Sequence, residues 1–369
     1  MDRTVQEKNK LSPFFLFFLF PASQIGIGTL NFQTRIAKGA GHDAWLSLLV
    51  VGLSLNILFL MVMSILKSSP SGDLMGFHKK TFGKYIGNSL NMILVCYFGL
   101  ISFSLLYGYI DILQTWAFDM IPLWELTFAI CIVVYYIVSG GFRVVTGIAF
   151  WGVVIPIFLI FPFILLYPYL ELRNMMPIFS HSIKDYFVSG RESIYLFIGF
   201  ENILIYFPFI KNHGQSKKWG HLGLFSTTLL YLSLCILTFL YYTQGKLAHT
   251  LWPTLAMIKL IRFSVLESYE FVFIFTFFLV ITSIISISLW SCTRILKVTY
   301  GFKPTRALLG FLIAFFILNL ALEDIEYGEK LSRITAYSGI AFLYGYIPFL
   351  FLVSIIKRKM EKKNSKEQL

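Results

Sequence analysis

Charge is scarce in this sequence. Asp, Glu, Lys and Arg together make up 14% of 369 residues, against about 25% in ordinary soluble domains, so a water-exposed globular protein is excluded. Cysteine is sparse too. Cys96, Cys131, Cys235 and Cys292 stand alone inside apolar runs, a spacing that makes neither a disulfide framework nor a metal site. His42, His78, His181, His213, His221 and His249 fall in expected loops or at the edges of apolar runs. There is no nucleotide-binding loop, no zinc-ligand spacing and no pair of carboxylates at membrane depth. Catalysis needs converging groups of that kind, so neither an enzyme nor a cofactor is expected. Low-complexity tracts and a separate soluble domain are also missing.

Apolar side chains are abundant. They account for 57% of the chain, with 39 Phe and a mean hydropathy of +0.73, which is the composition of an integral membrane protein. Runs long enough to span, at about 20 residues each, fall near 13–36, 44–66, 85–108, 122–139, 144–168, 192–210, 221–243, 268–293, 307–322 and 335–356. The expectation is an all-α membrane protein of ten transmembrane helices over 13–356, flanked by an N-terminal segment 1–12 and a basic tail 357–369. The loops 169–191 and 244–267 are long enough for surface helices. The start of the chain imitates a secretory signal peptide, but its apolar run continues past residue 30 and further spans follow, so it is read as the first span.

The net charge of +12 does not indicate nucleic acid, because the basic residues sit at the ends of apolar runs. About two-thirds of them fall on the side that ten alternating spans assign to both chain ends. Asp111, Asp119, Glu125, Glu323, Asp324, Glu326 and Glu329 fall on the other side. The positive-inside rule then makes both termini cytoplasmic, with the tail "KRKMEKKNSKEQL" facing anionic lipid.

Two spans carry interruptions. The first contains "FPASQIGIGTL", residues 20–30, and the sixth reads "YLFIGFENILIYFPFI", residues 195–210. These breaks open the two five-span halves, about 13–168 and 192–356. An odd number of spans per half inverts the second half relative to the first, the inverted-repeat plan of many secondary transporters. Broken helices expose backbone N–H and C=O groups at mid-membrane, where they bind a small polar solute. Gly26 and Gly28 allow close approach to the backbone, and Ser23, Gln24 and Thr29 add side-chain donors and acceptors. Glu201, beside Gly199 and Asn202, is the acidic residue placed deep in a span, where such groups face a cavity or a partner. The plainer alternatives remain open: glycine pairs also serve helix packing, and Glu201 also fits a structural anchor bonded to a neighbouring span.

The segments "QIGIGTL" and "GFENILIYFPFI", ten spans and a basic tail together resemble the permease-like B-subunit family of spore germinant receptors, within the amino acid–polyamine–organocation superfamily. The resemblance implies a five-plus-five inverted repeat with helices 1 and 6 interrupted. It implies a pocket for a nutrient such as an amino acid, sugar or nucleoside, partnership with a membrane A subunit and a lipoprotein C subunit, and a place in the inner membrane of the spore. It carries ligand-binding roles to Gly26, Gly28, Thr29, Gly199, Phe200, Glu201 and Asn202. In that fold spans three and eight flank the site, which adds Tyr97, Tyr107, Thr282, Ser283 and Ser286. Tyrosines in spans also pack or sit at interfaces, and span hydroxyls often bond back to their own helix. The chain departs from the family at "NFQTR", where a proline is common.

A proton- or sodium-coupled amino acid symporter working by alternating access needs the same pocket, with Glu201 as a proton carrier. A pure scaffold for partner subunits is the third reading.

Overall fold

The computed structural model describes residues 6, 7, 10–118, 120–261, 269–322 and 325–367, in backbone alone at 325, 326 and 362–367. Asp119, Glu323, Asp324, the Glu326 side chain and parts of the two terminal segments lie outside the described residues. The described chain is almost wholly helical and contains no strand. The helices are α1 (Leu16–Gln24), α2 (Phe32–Ala40), α3 (Ala44–Ser68), α4 (Leu74–Trp116), α5 (Leu123–Ser139), α6 (Phe142–Ile157), α7 (Ile183–Ile194), α8 (Ile203–Tyr206), α9 (His213–Tyr241), α10 (Gln244–Ala248), α11 (Pro253–Ile258), α12 (Tyr269–Tyr300), α13 (Pro304–Ala321), α14 (Ile325–Ile340) and α15 (Ile347–Glu367).

Among the described residues, 7 helical segments are long and apolar enough to cross a membrane. Ten apolar runs resolve into fewer continuous crossings for a physical reason. The first run is cut after Gln24, the sixth is cut at Gly199, and α5 is only 17 residues long. The third run is the lower part of a longer rod, since α4 begins at Leu74 and turns at Gly83 before entering its apolar stretch.

Two boundaries differ from expectation. The segment 183–194, placed in a loop, is α7, the leading half of the interrupted sixth helix. Its charges hid this, because Lys184, Asp185, Arg191 and Glu192 share the helix with a small-residue face. That face packs on α2 and α3: Ser189 Oγ donates to the Ile36 carbonyl at 2.7 Å and accepts from the Ala40 N–H at 2.8 Å. Small polar residues let helix backbones approach in this way. The last crossing also starts earlier, since α14, the π-helical turn Ala341–Tyr346 and α15 run on continuously.

Helices α4 and α12 form the central packed pair, with α6 and α13 also against α12. On the other side α1 packs on α9 and α6, and α3 packs on α7, α9 and α15. Lipid-facing surface is written into α3 at Val50, Leu53, Ile57 and Leu60, all exposed and spaced as one helical stripe. Both chain ends lie on one face. The Leu11 N–H donates to the Phe209 carbonyl, the Leu11 carbonyl accepts from the Lys211 N–H, and Lys80 pairs with Glu361 at 2.7 Å.

Candidate functional site

The site grows from the two interruptions. After Gln24 the backbone leaves the helix at Ile25 (ψ 101°), passes through extended Gly26 and makes one tight turn over Ile27–Leu30 before α2 begins. The sixth helix stops after Ile194, turns once and resumes past Gly199. Gly199 has φ +124°, a conformation that side chains rarely adopt. A Cβ there would lie 1.9 Å from the Ser23 carbonyl oxygen, so the two breaks touch backbone to backbone. Gln24 ties them further, its Nε2 donating to the Phe197 carbonyl at 3.0 Å.

Neighbouring helices hold the first break open. Tyr231 on α9 donates its hydroxyl to the Gln24 carbonyl at 2.8 Å, and Thr254 on α11 donates to the Thr29 carbonyl at 3.0 Å. Backbone groups freed from the helix ladder thus find partners inside protein, as membrane burial requires.

Glu201 is fully buried, and its carboxylate is already engaged. Oε1 accepts from the Tyr97 hydroxyl at 2.6 Å and Oε2 from the Gly199 N–H at 2.8 Å. Asn202 donates through Nδ2 to the Gly199 carbonyl at 2.9 Å, and its Oδ1 accepts from Ser291 at 2.7 Å. These two side chains clamp the break from behind. Asp43 and Asp73, the other buried carboxylates among the described residues, sit at helix ends. Asp43 accepts from the Ser180 N–H, and Asp73 caps α4 through the Gly76 N–H.

A small cavity lies in front of the breaks. Gln24, Gly26 and Gly28 line it, with Ser104 on α4, Tyr231 on α9 and Thr335 on α14. Leu105, Ile198 and Ile284 supply apolar wall, and the Gln24 Oε1 is buried without a partner among the described residues. The space is ≈ 30 Å³, room for about two waters. One step outward it meets a vestibule of ≈ 530 Å³ that shares Ile27, Gly28, Ser104 and Tyr195 with it. The vestibule carries both signs of charge: Arg35, Lys38, Arg191 and Arg333 against Asp111, Glu192 and Glu329. Arg35 reaches Glu192 at 3.4 Å and Ser332 at 3.1 Å, with its guanidinium 5.0 Å from the Tyr195 ring centre.

The sequence-predicted residues therefore divide. Gln24, Gly26 and Gly28 border the cavity, and Tyr107 borders the vestibule. Thr29 turns to Tyr231 (3.5 Å), and Phe200 is sealed against Phe20. Gly199, Glu201, Asn202 and Tyr97 form the clamp behind. Thr282 bonds back to the Phe278 carbonyl at 2.8 Å, and Ser283 bonds to Leu279 in its own helix and across to Ile148 in α6. The Ser286 hydroxyl is buried with no partner among the described residues. Ser104, Tyr195, Tyr231 and Thr335 were not anticipated. Each is a single polar residue in an apolar or mixed stretch and looks like packing until the helices are assembled.

A multi-pass helical protein with two interrupted helices docked at their breaks belongs, by its fold, with the permease-like membrane proteins. The solved substrate-bound, outward-open structure of a Na+-coupled sialic acid symporter shares this fold, with a TM-score of 0.68 over 96% of this chain and 81% of that one at 12% identity. The chain belongs to the spore germination protein family, whose spore permease model matches residues 10–327. It is 35% identical to spore germination protein GerQB of Bacillus cereus over 96% of this chain and 98% of that protein. It is 24% identical to spore germination protein B2 of Bacillus subtilis (strain 168) over 69% of each.

Proposed function

We propose that this chain is the nutrient-sensing membrane subunit of a spore germinant receptor, binding a small polar nutrient in front of its two broken helices. The observation that carries the reading is the docked pair of breaks, with the cavity beside it opening into a mixed-charge vestibule. Exposed backbone groups and an unpartnered Gln24 carbonyl suit a ligand rich in donors. Both signs of charge at the entrance suit a zwitterion, so an amino acid fits better than a sugar or nucleoside. The ligand would enter from the vestibule, since the inner space is too small until Leu105, Ile198 and Ile284 give way.

Ten spans in a five-plus-five inverted repeat, both termini in the cytoplasm and residence in the inner spore membrane complete the reading. The related germination proteins support membrane A-type partners, and the family resemblance adds a lipoprotein C subunit. Signalling then needs only that the nutrient favour one arrangement of the breaks over another. The clamp offers a route outward. Tyr97, which holds Glu201, stacks on Phe342 at 4.7 Å in the π-helical turn, and Tyr346 in the same turn lies 2.8 Å from His78 Nε2 near the chain-end face. Turns of this kind recur at functional sites.

The symporter reading uses the same cavity, and the fold likeness is compatible with it. It requires Glu201 to exchange a proton with the pathway, whereas that carboxylate is held behind the break by two donors. The deciding experiment deletes the chain and scores a nutrient panel in spores beside uptake of the same nutrients by growing cells. Loss of one germination response with uptake unchanged supports sensing, and normal germination with lost uptake refutes it.

A further inference from the structure

A second cavity, of ≈ 690 Å³, opens on the face that carries both chain ends, remote from the broken helices. Arg143 at the start of α6 lines it together with Arg294 and Lys297 at the end of α12. No carboxylate is among the described residues that line it. Glu7, the acid near this end of the chain, is taken by Lys10 at 3.0 Å and Lys211 at 3.4 Å. Hydroxyls of Ser139, Thr293 and Thr305 share the walls.

The backbone favours the same charge. The turn through Gly141 (φ +83°) starts α6, and Pro304 starts α13, and neither helix has a side-chain cap. Both N-termini border the cleft, so their positive dipole ends add to the three cations. The cleft floor is aromatic, with Phe142 and Phe209 packed on Trp290 at 4.5 and 5.1 Å and the Arg294 guanidinium 5.1 Å from the Phe209 ring centre. Beside the mouth, Val144, Phe302, Leu309 and Ile313 are exposed apolar side chains, the surface that acyl chains cover.

We propose that this cleft binds a phosphate group, presented by an anionic phospholipid whose tails lie along Val144 and α13. Three cations without a counter-carboxylate need an anion to neutralise them. Basic pockets between membrane helices recognise lipid headgroups in this way. The proposal is independent of what the central cavity binds.

The test is native mass spectrometry of the purified full chain, offered phosphatidylglycerol or phosphatidylcholine. The variants are R143Q/K297Q, at two exposed positions, and K217Q/K218Q, which removes the same charge elsewhere on that face. The expected result is retention of phosphatidylglycerol over phosphatidylcholine. R143Q/K297Q should weaken it by about thirty-fold, the factor two basic residues near an anionic surface supply, and K217Q/K218Q should not. A parallel titration with glycerol 3-phosphate identifies the source. If that soluble phosphate binds with the same variant pattern and the lipid does not, the phosphate site stands with a soluble ligand. If neither probe is preferred, or if both variants lose it equally, the site does not exist.

Discussion

Replacing Gly199 by Ala probes the contact on which the whole site depends. The added Cβ would lie 1.9 Å from the Ser23 carbonyl oxygen and 2.7 Å from its carbon. Both atoms are backbone, so no rotamer change relieves the clash. Overpacking of this kind costs about 1–3 kcal/mol, and holding a side-chain-bearing residue in an unfavourable backbone region adds about 1–3 kcal/mol. The sum, about 2–6 kcal/mol, is a large part of a typical stability of about 5–15 kcal/mol. At about 2 °C per kcal/mol for a large chain, the unfolding midpoint of detergent-purified protein should fall by about 4–12 °C. Gly147→Ala on α6 is the control, since nothing lies within 4 Å of its Cβ, and it should melt like the parent. If Gly199→Ala melts within a degree of the parent and its spores respond normally, the two breaks are not docked as described.

Tyr97→Phe removes the donor to Glu201 Oε1 and leaves a buried carboxylate oxygen unpaired, at a cost of about 1–3 kcal/mol. Glu201→Gln should cost a similar amount, and the double variant should melt higher than the two single losses added together, because the substitutions share one hydrogen bond. Additive losses would mean the pair is not coupled. Arg35→Gln at the vestibule should leave the melting midpoint within about 2 °C, since part-exposed ion pairs contribute about 0–1 kcal/mol, while shifting the nutrient concentration needed for germination. An unchanged dose response would remove the vestibule from the entry path.

Both interruptions were legible in the sequence because glycine, glutamine and glutamate stand out within apolar runs. The burial of Glu201 followed from the same contrast. Its role did not, because facing a cavity and bonding a neighbouring helix leave the same trace in sequence, and only the 2.6 Å contact with Tyr97 separates them. The cavity wall was harder still. Ser104, Tyr231 and Thr335 come from three helices far apart in the chain, and nothing local marks them. α7 was missed because its charges read as loop, although its opposite face is made of the small residues that tight helix packing uses.

The central claim is that the space before the breaks receives the nutrient, and Gly26→Val tests it most directly. The first added carbon would meet only the side-chain ends of Ile284 and Leu105, at 3.0 Å each. The fold should therefore survive while a space of ≈ 30 Å³ is filled. The measurement is the germination dose response of Gly26→Val spores, with the chain quantified in the same membranes. The account predicts normal amounts of protein and a need for at least about tenfold more nutrient, the factor that about 1.4 kcal/mol of lost binding produces. A response at parental nutrient concentrations, with the protein present, would contradict it.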